Sequence, residues 1–348
     1  MNRRNLRWRN RPLGSNWGDF GDDDELGRLN LITPEVVRKG VAEAREGRSF
    51  CLSLPLDYPG GNVLSAARKP PVLRPTIRRG KPYFAYPMAA EDPRLTDVVN
   101  DDLAILHLQY STHWDALSHV GALFDADGDG EREIVFYNGF RLDTHFTGPT
   151  DVADAGAGEE RSTFAARALG VERMAERGLQ GRGVLVDLAH HHGRARVLVD
   201  YDELMRIMEA DAVEVEEGDI LCLHTGLAAA ILEMNRQPTV ETLAVCPVLD
   251  GRDEKLLQWI TDTGIAAIAA DNYSVELNPG RDQCDCSAYL PLHEHCIFKL
   301  GMPLGELWYL TELADWLRAN RRSRFLLTAP PLRLPGAVGT PLTPVATV

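Results

Sequence analysis

Gln109-Tyr110-Ser111-Thr112-His113-Trp114-Asp115-Ala116-Leu117-Ser118-His119 sets two imidazoles and a carboxylate within seven positions, from His113 to His119. Side chains alternate between the two faces of an extended chain, so a strand here would turn His113, Asp115, Leu117 and His119 to one side. Imidazole and carboxylate are ligand types that bind Zn²⁺ or Mn²⁺, and the spacing therefore points to a metal centre. Polar residues satisfied by hydrogen bonds within a strand fit the same spacing, so further residues must decide. Trp114 points to the opposite face, toward a core, and Tyr110 stands where it could flank a substrate.

The stretch resembles the signature H-x-G-T-H-x-D-x-P-x-H of the metal-dependent cyclase family, the group that includes bacterial kynurenine formamidase and isatin hydrolase. Thr112, His113, Asp115 and His119 match it. Gln109 stands where the signature has His, Ser111 where it has Gly, and Leu117 where it has Pro. Asn16-Trp17-Gly18, Asp24-Glu25-Leu26-Gly27 and Leu29-Asn30-Leu31-Ile32-Thr33-Pro34-Glu35 resemble the N-terminal region of the longer members. Arg182-Gly183-Val184-Leu185-Val186-Asp187 and His224-Thr225-Gly226 resemble the core strands, and residues 325–345 the closing strand and tail. Leu292-His293 and Gly305-Glu306-Leu307-Trp308 resemble the late metal-binding His and Glu.

The resemblance implies a swivelling β/β/α fold and two metal positions. One would be held by Gln109, His113 and Asp115, the other by Asp115, His293 and Glu306, while His119 matches a residue with a proton-transfer role. Gln109 is the main departure. An amide oxygen is a weaker ligand than imidazole for Zn²⁺ and suits harder cations, which tunes this position toward Mn²⁺ or weakens it. His107 would share the face of Gln109 in a strand, but it closes the apolar run 103–106 and is read as packing beside the site.

With 348 residues, 44% hydrophobic and 25% charged, the chain has the composition of a soluble globular protein with a substantial core. A net charge of −14 argues against nucleic acid, whose phosphates demand a basic face. No run of about 20 apolar residues offers a membrane span. Arg3, Arg4, Arg7, Arg9 and Arg11 give residues 1–15 a basic bias with no apolar segment after it, read as an arm that crosses a neighbouring subunit or stays mobile. The six cysteines form no disulfide framework, and reduced thiols in the cytoplasm are the simpler account. Cys284 and Cys286 beside Asp282 and Asp285 lack the C-x₂-C pairing of structural zinc sites.

Short apolar runs at 184–188, 220–223, 265–270 and 324–327 read as strands. Helical patterns at 201–209, 253–261 and 305–318 lie among them, with Gly193, Gly218 and Gly264 as stops. Alternating strands and helices define an α/β fold, with a mixed or antiparallel sheet flanked by helices. The first half, punctuated by Pro55, Pro59, Pro70, Pro71, Pro75, Pro82 and Pro87, favours brief antiparallel strands and long loops. Residues 151–160 read as a loop inside one domain spanning 1–348.

Three other clusters compete for attention. Asp125, Asp127 and Asp129 imitate the start of an EF-hand loop, but its twelfth position is Phe136, so a solvated acidic turn is the reading. His190-His191-His192 cannot converge on one ion from adjacent strand positions. His224 at a strand end is read as structural. The absence of G-x-G-x-x-G, G-x-x-x-x-G-K-[ST] and G-x-S-x-G removes the usual dinucleotide, P-loop and serine-hydrolase readings.

The expected function is a metal-dependent hydrolase of an amide, cyclic amide or lactone bond in a small, aromatic-type substrate, without an organic cofactor. The alternatives are a non-hydrolytic cyclase or lyase and a non-enzymatic metal-binding protein with a decayed site. A homodimer or homotetramer is the expected assembly, from the N-terminal arm and from the assembly common in similar proteins.

Overall fold

The apolar runs of the second half form the middle of one mixed sheet in a computed structural model of the protein, which describes residues 7–150, 155–156, 161–281 and 287–348. In chain order its strands are β1 (Ser49–Cys51), β2 (His113–Asp115), β3 (Gln180–Asp187), β4 (Ile220–His224), β5 (Ala267–Ala270), β6 (Leu304–Glu306), β7 (Arg324–Thr328), β8 (Gly339–Pro341) and β9 (Val345–Thr347). Their spatial order is β1-β9-β7-β3-β4-β5-β6-β2-β8. Strands β3 to β6 are parallel, and the pairs on either side are antiparallel.

The runs are continuous rather than alternating because the central strands are covered on both faces. Val184, Val186, Leu221 and Leu223 face one apolar core with Leu256, Ile260 and Ile268. Leu185, Ile220 and Cys222 face the other, with Trp114, Trp308, Leu313 and Phe325. The flanking helices are α1 (Pro34–Val41), α2 (Tyr201–Ala210), α3 (Leu227–Glu233), α4 (Glu254–Thr263) and α5 (Thr311–Ala319). Asp200 caps α2 by accepting from Glu203 N at 2.9 Å, and Asp253 accepts from Lys255 N at 3.0 Å at the start of α4. Buried Arg28 closes the other end of α4, donating to Ile260 O and Thr261 O at 2.6 Å each, where a cation meets the negative end of the helix.

Two expectations are corrected. The stretch 109–119 is extended only over β2, and after Asp115 the chain turns, with His119 N donating to Ala116 O at 2.9 Å. The helix read at 305–318 begins only at Thr311. Leu304, Leu307 and Trp308 have helical spacing, but residues 304–306 pair in the sheet and Leu307 has a φ of 57°. From Arg7 onward the N-terminal segment touches its own body: Arg9 N donates to Ala126 O at 2.6 Å, and Arg7 lies 3.9 Å over the Phe140 ring. Residues 1–6, most of 151–160, and Cys284 and Cys286 lie outside the described residues.

Arg182 on β3 clamps Asp219, the residue before β4, through Nε at 2.8 Å and Nη2 at 2.9 Å, with both side chains buried. Asp219→Ala would leave the guanidinium with only the half-exposed Glu216 carboxylate at 2.9 Å. A loss of about 3 kcal/mol is expected, at the low end for a broken buried pair. It should appear as a lower urea midpoint with an unchanged m-value.

Candidate metal centre

Strand β2 delivers His113 and Asp115 to the same face, and antiparallel pairing with β6 puts Glu306 opposite His113. Thr112 fixes the approach of the strand, donating to Leu307 O at 2.6 Å and accepting from Leu54 N at 2.9 Å. His113 Nδ1 meets Ser111 O at 2.7 Å, so it carries the proton and leaves Nε2 as a bare lone pair. That Nε2 lies 3.6 Å from Asp115 Oδ1 and 3.8 Å from Glu306 Oε2. His293, on the short helix Pro291–His293, brings Nε2 to 3.1 Å from Glu306 Oε1 and 3.9 Å from Asp115 Oδ2.

The donor set fits a cation. His113 Nε2 and Asp115 Oδ1 are buried without a hydrogen-bond partner, a costly arrangement for lone pairs unless something accepts them. Ligand atoms of His113, Asp115 and Glu306 lie within 4.8 Å of one another. Donors on one tetrahedral ion with bonds near 2.1 Å stand about 3.4 Å apart, close to the spacings here. Burial, and after it the neighbouring Glu306, push the Asp115 carboxyl well above the usual range. Burial alone would raise Glu306 too, but the hydrogen bond from His293 and the nearness of the His113 and His293 rings prevail and hold it low. Burial holds the His113 ring at about 4, so it is neutral and ligand-competent. Burial also opposes charge on His293, yet its bonds to Glu276 and Glu306 outweigh this and raise it to about 10.

Among the expected residues, His113, Asp115, His293 and Glu306 converge. His119 reaches the rim: its Nε2 lies 3.5 Å from Asp115 Oδ1, and it is the partly exposed member of the group. Burial, followed by the proximity of His293 and His113, keeps its ring below the usual range. Gln109 lies beside His119, with Nε2 at 3.5 Å from its Nδ1, and rests on the backbone of Gly339, where an added Cβ would meet that nitrogen at 2.4 Å. His107 joins neither of the clusters with metal-ligand spacing among the described residues. The other such cluster, Asp125, Asp127 and Asp129, is an acidic turn in which Asp125 accepts from the backbone of Gly128, Asp129 and Gly130. His191 and His192 diverge to Asp211 and Glu203.

Two features were not legible in the sequence. Glu276, fully buried, accepts from His293 Nδ1 at 2.8 Å and from the backbone of Leu292 and His293 at 3.0 and 2.9 Å, fixing the ring from behind. No spacing marks it, because it leaves the loop after β5 and reaches His293 through the fold. His224 is structural, as expected, but its partners were hidden: Nδ1 lies 2.7 Å from Asp187 Oδ1 and Nε2 lies 3.2 Å from Thr311 Oγ1, tying β3 and β4 to α5. Beside Gln109 lies a narrow cleft of about 10 Å³ lined by Gly61, Leu64, Arg68, Tyr110 and Tyr273.

Two imidazoles and two carboxylates gathered at one buried point beside the antiparallel end of the sheet make a candidate metal site on an α/β protein, and sequence comparison gives the family. The profile of the Putative cyclase family matches residues 52–277, close to two thirds of the chain, and the protein belongs to that family. A crystal structure of a novel cyclase is 29% identical, with a TM-score of 0.71 over 96% of this chain and 97% of the other. Isatin hydrolase A from Labrenzia aggregata, bound to benzyl benzoate, shares the fold at 12% identity, with a TM-score of 0.55 over 90% of this chain and 98% of that one. An isatin hydrolase bound to the product analogue thioisatinate gives 14% and 0.55 over 91% and 99%. No curated protein matches the chain.

Asp115→Ala is expected to abolish most metal uptake, measured by elemental analysis after loading; full occupancy would remove Asp115 from the ligand set. Glu276→Gln replaces no proposed ligand and should weaken metal affinity by about 10–100-fold by weakening the support of His293. Titration calorimetry distinguishes the two variants.

Proposed function

We propose that the protein is a metal-dependent hydrolase that cleaves an amide, cyclic amide or lactone bond of a small substrate. The observation that carries this reading is the pair of buried lone pairs on His113 and Asp115, beside Glu306 and within reach of a partly exposed histidine. His113, Asp115, His293 and Glu306 would hold the ion, Zn²⁺ or Mn²⁺, with Gln109 as a weaker amide-oxygen ligand. When bound, a divalent ion polarises a carbonyl and lowers the pKa of water from 15.7 toward about 7.

The protein's own groups account for the rest. Glu276 and Ser111 fix the rings of His293 and His113 through Nδ1, leaving both Nε2 atoms directed at the centre. His119 begins neutral, so it can take a proton from the attacking water and return it to the departing nitrogen or oxygen. The proton would pass through Nε2, the ring nitrogen nearer Asp115, while Nδ1 lies beside Gln109 on the other side of the ring. Tyr110 and Tyr273 line the narrow cleft, and their rings would pack against a flat aromatic substrate, the class suggested by the isatin hydrolases that share the fold.

The test is turnover by metal-loaded protein on N-formyl anilides, cyclic imides and lactones. Hydrolysis that stops on chelation and returns with metal supports the reading, and full metal occupancy with no turnover across the panel removes it. His119→Ala should retain metal and lower kcat by about 10²–10⁴-fold, the usual worth of a general acid–base. Loss of metal instead would make His119 a ligand.

A further inference from the structure

Among the described residues that line the cleft beside Gln109, Arg68 alone carries a charge. The backbone sets its place. Arg68 N donates to Ser65 O at 3.1 Å and closes a turn, and Tyr110 Oη donates to Gly61 O at 3.0 Å, so residues 61–68 are fastened to the stretch that carries His113 and Asp115. Nη1 of the half-buried guanidinium then donates to Gln109 O at 2.7 Å. No carboxylate of the described residues pairs with it, in a chain whose 51 acidic residues outnumber its 37 lysines and arginines. An arginine left without a counter-ion beside a candidate metal centre is therefore not explained by the protein's own charges.

The bond to Gln109 occupies Nη1 and leaves the edge formed by Nε and Nη2. With that same edge Arg182 clamps Asp219 at 2.8 and 2.9 Å, and Arg206 holds Glu203 at 2.7 and 2.6 Å. Its two parallel N–H groups match the two oxygens of a carboxylate. The charge also reaches the centre: burial is the largest influence on the His113 and His119 rings, the Asp115 carboxyl and the Tyr273 hydroxyl, and the Arg68 cation is among the charges that act on all four. A divalent ion held by Asp115 and Glu306 would be neutralised by their two charges, and Arg68 would stay the uncompensated cation on the cleft side. A chain of net charge −14 repels anions at large, so holding one here calls for a local cation. The cleft, about 10 Å³, has room for roughly one water-sized group, which suits an oxygen of a planar carboxylate better than the bulk of a phosphate.

We propose that Arg68 is a specificity-determining residue that receives, through Nε and Nη2, a carboxylate carried by the substrate away from the bond that is cleaved. The inference rests on the hydrolase reading and narrows it: the substrate is an anionic amide or lactone, of the kind that an acylated aminobenzoate represents. Arg68 does not act on the reacting atoms. By holding the far end of the substrate it fixes which carbonyl faces the metal centre, and Gln109, through its backbone carbonyl, aims the guanidinium.

The test compares formanilide with the ortho, meta and para formamidobenzoates, which differ from it only by the carboxylate, as substrates of the metal-loaded full chain. For wild type, kcat/KM should favour at least one formamidobenzoate by about tenfold or more, and Arg68→Gln should lower that ratio by about 10–100-fold, chiefly through KM, the usual worth of a charge-assisted pair. Arg68→Lys should keep an intermediate ratio, because it keeps the charge and loses the fork. Calorimetry gives a readout without turnover: metal-loaded wild type should bind benzoate more tightly than benzamide, and Arg68→Gln should lose that preference. Equal kcat/KM for formanilide and all three isomers in wild type, or an Arg68→Gln variant that keeps the wild-type preferences, overturns the proposal and leaves the hydrolase reading standing. Absence of turnover on every substrate counts against the hydrolase reading instead, and the carboxylate site then stands or falls on the calorimetry.

Discussion

The antiparallel pairing of β2 with β6 is the constraint on which the rest of the centre depends. It sets Glu306 opposite His113, and Leu304 opposite Asp115, between segments almost two hundred residues apart in the chain. Once this register is fixed, two carboxylates and an imidazole share one buried point, and His293 enters from the side. A slip of β2 by one residue would turn His113 and Asp115 into the core behind the sheet, because strand side chains alternate. The register is protected by its packing. Trp114 and Trp308 meet edge to face at 4.9 Å behind the ligands, and Gly305 lies between them with no room for a side chain: an added Cβ would come within 2.8 Å of Trp308 Nε1 and 3.0 Å of Trp114.

Burying that much unbalanced charge is unfavourable, and its persistence carries functional information. The protein neutralises part of the charge internally, through His293 held between Glu276 and Glu306. It leaves His113 Nε2 and Asp115 Oδ1 unanswered. Contrast this with the other buried polar networks. Arg182 with Asp219, and His224 with Asp187 and Thr311, satisfy one another closely and serve to tie strands together. Completeness of pairing, more than burial, separates structural polar groups from those arranged for a ligand.

The same separation of roles divides the molecule at larger scale. The parallel middle of the sheet, apolar on both faces, provides a rigid edge, and the ligands stand on its antiparallel extension or on the loops beside it. The proline-rich first half supplies what surrounds that edge: the cleft wall at Arg68 and Tyr110, and the two-stranded ribbon of residues 72–105 that rises from it. Gln109 joins the two, its carbonyl held by Arg68 and its amide against His119.

How much was legible beforehand follows from the range of each interaction. The central strands and helices α2 and α4 were readable because apolar periodicity and Asp caps act within a few residues. His113, Asp115 and His119 were readable because they lie in one short stretch, and His293 and Glu306 only through family resemblance. The sequence by itself determined the α/β alternation, the residue types offered to the candidate site and the acidic charge of the chain. Tertiary structure alone decided that β2 lasts three residues, that Glu306 sits on a strand despite helical spacing, and that Glu276 stands behind His293. It also decided that the N-terminal residues from Arg7 onward lie on the body while residues 72–105 are exposed. Each of these outcomes is set by contacts between residues far apart in the chain, and local propensity has no means of recording them.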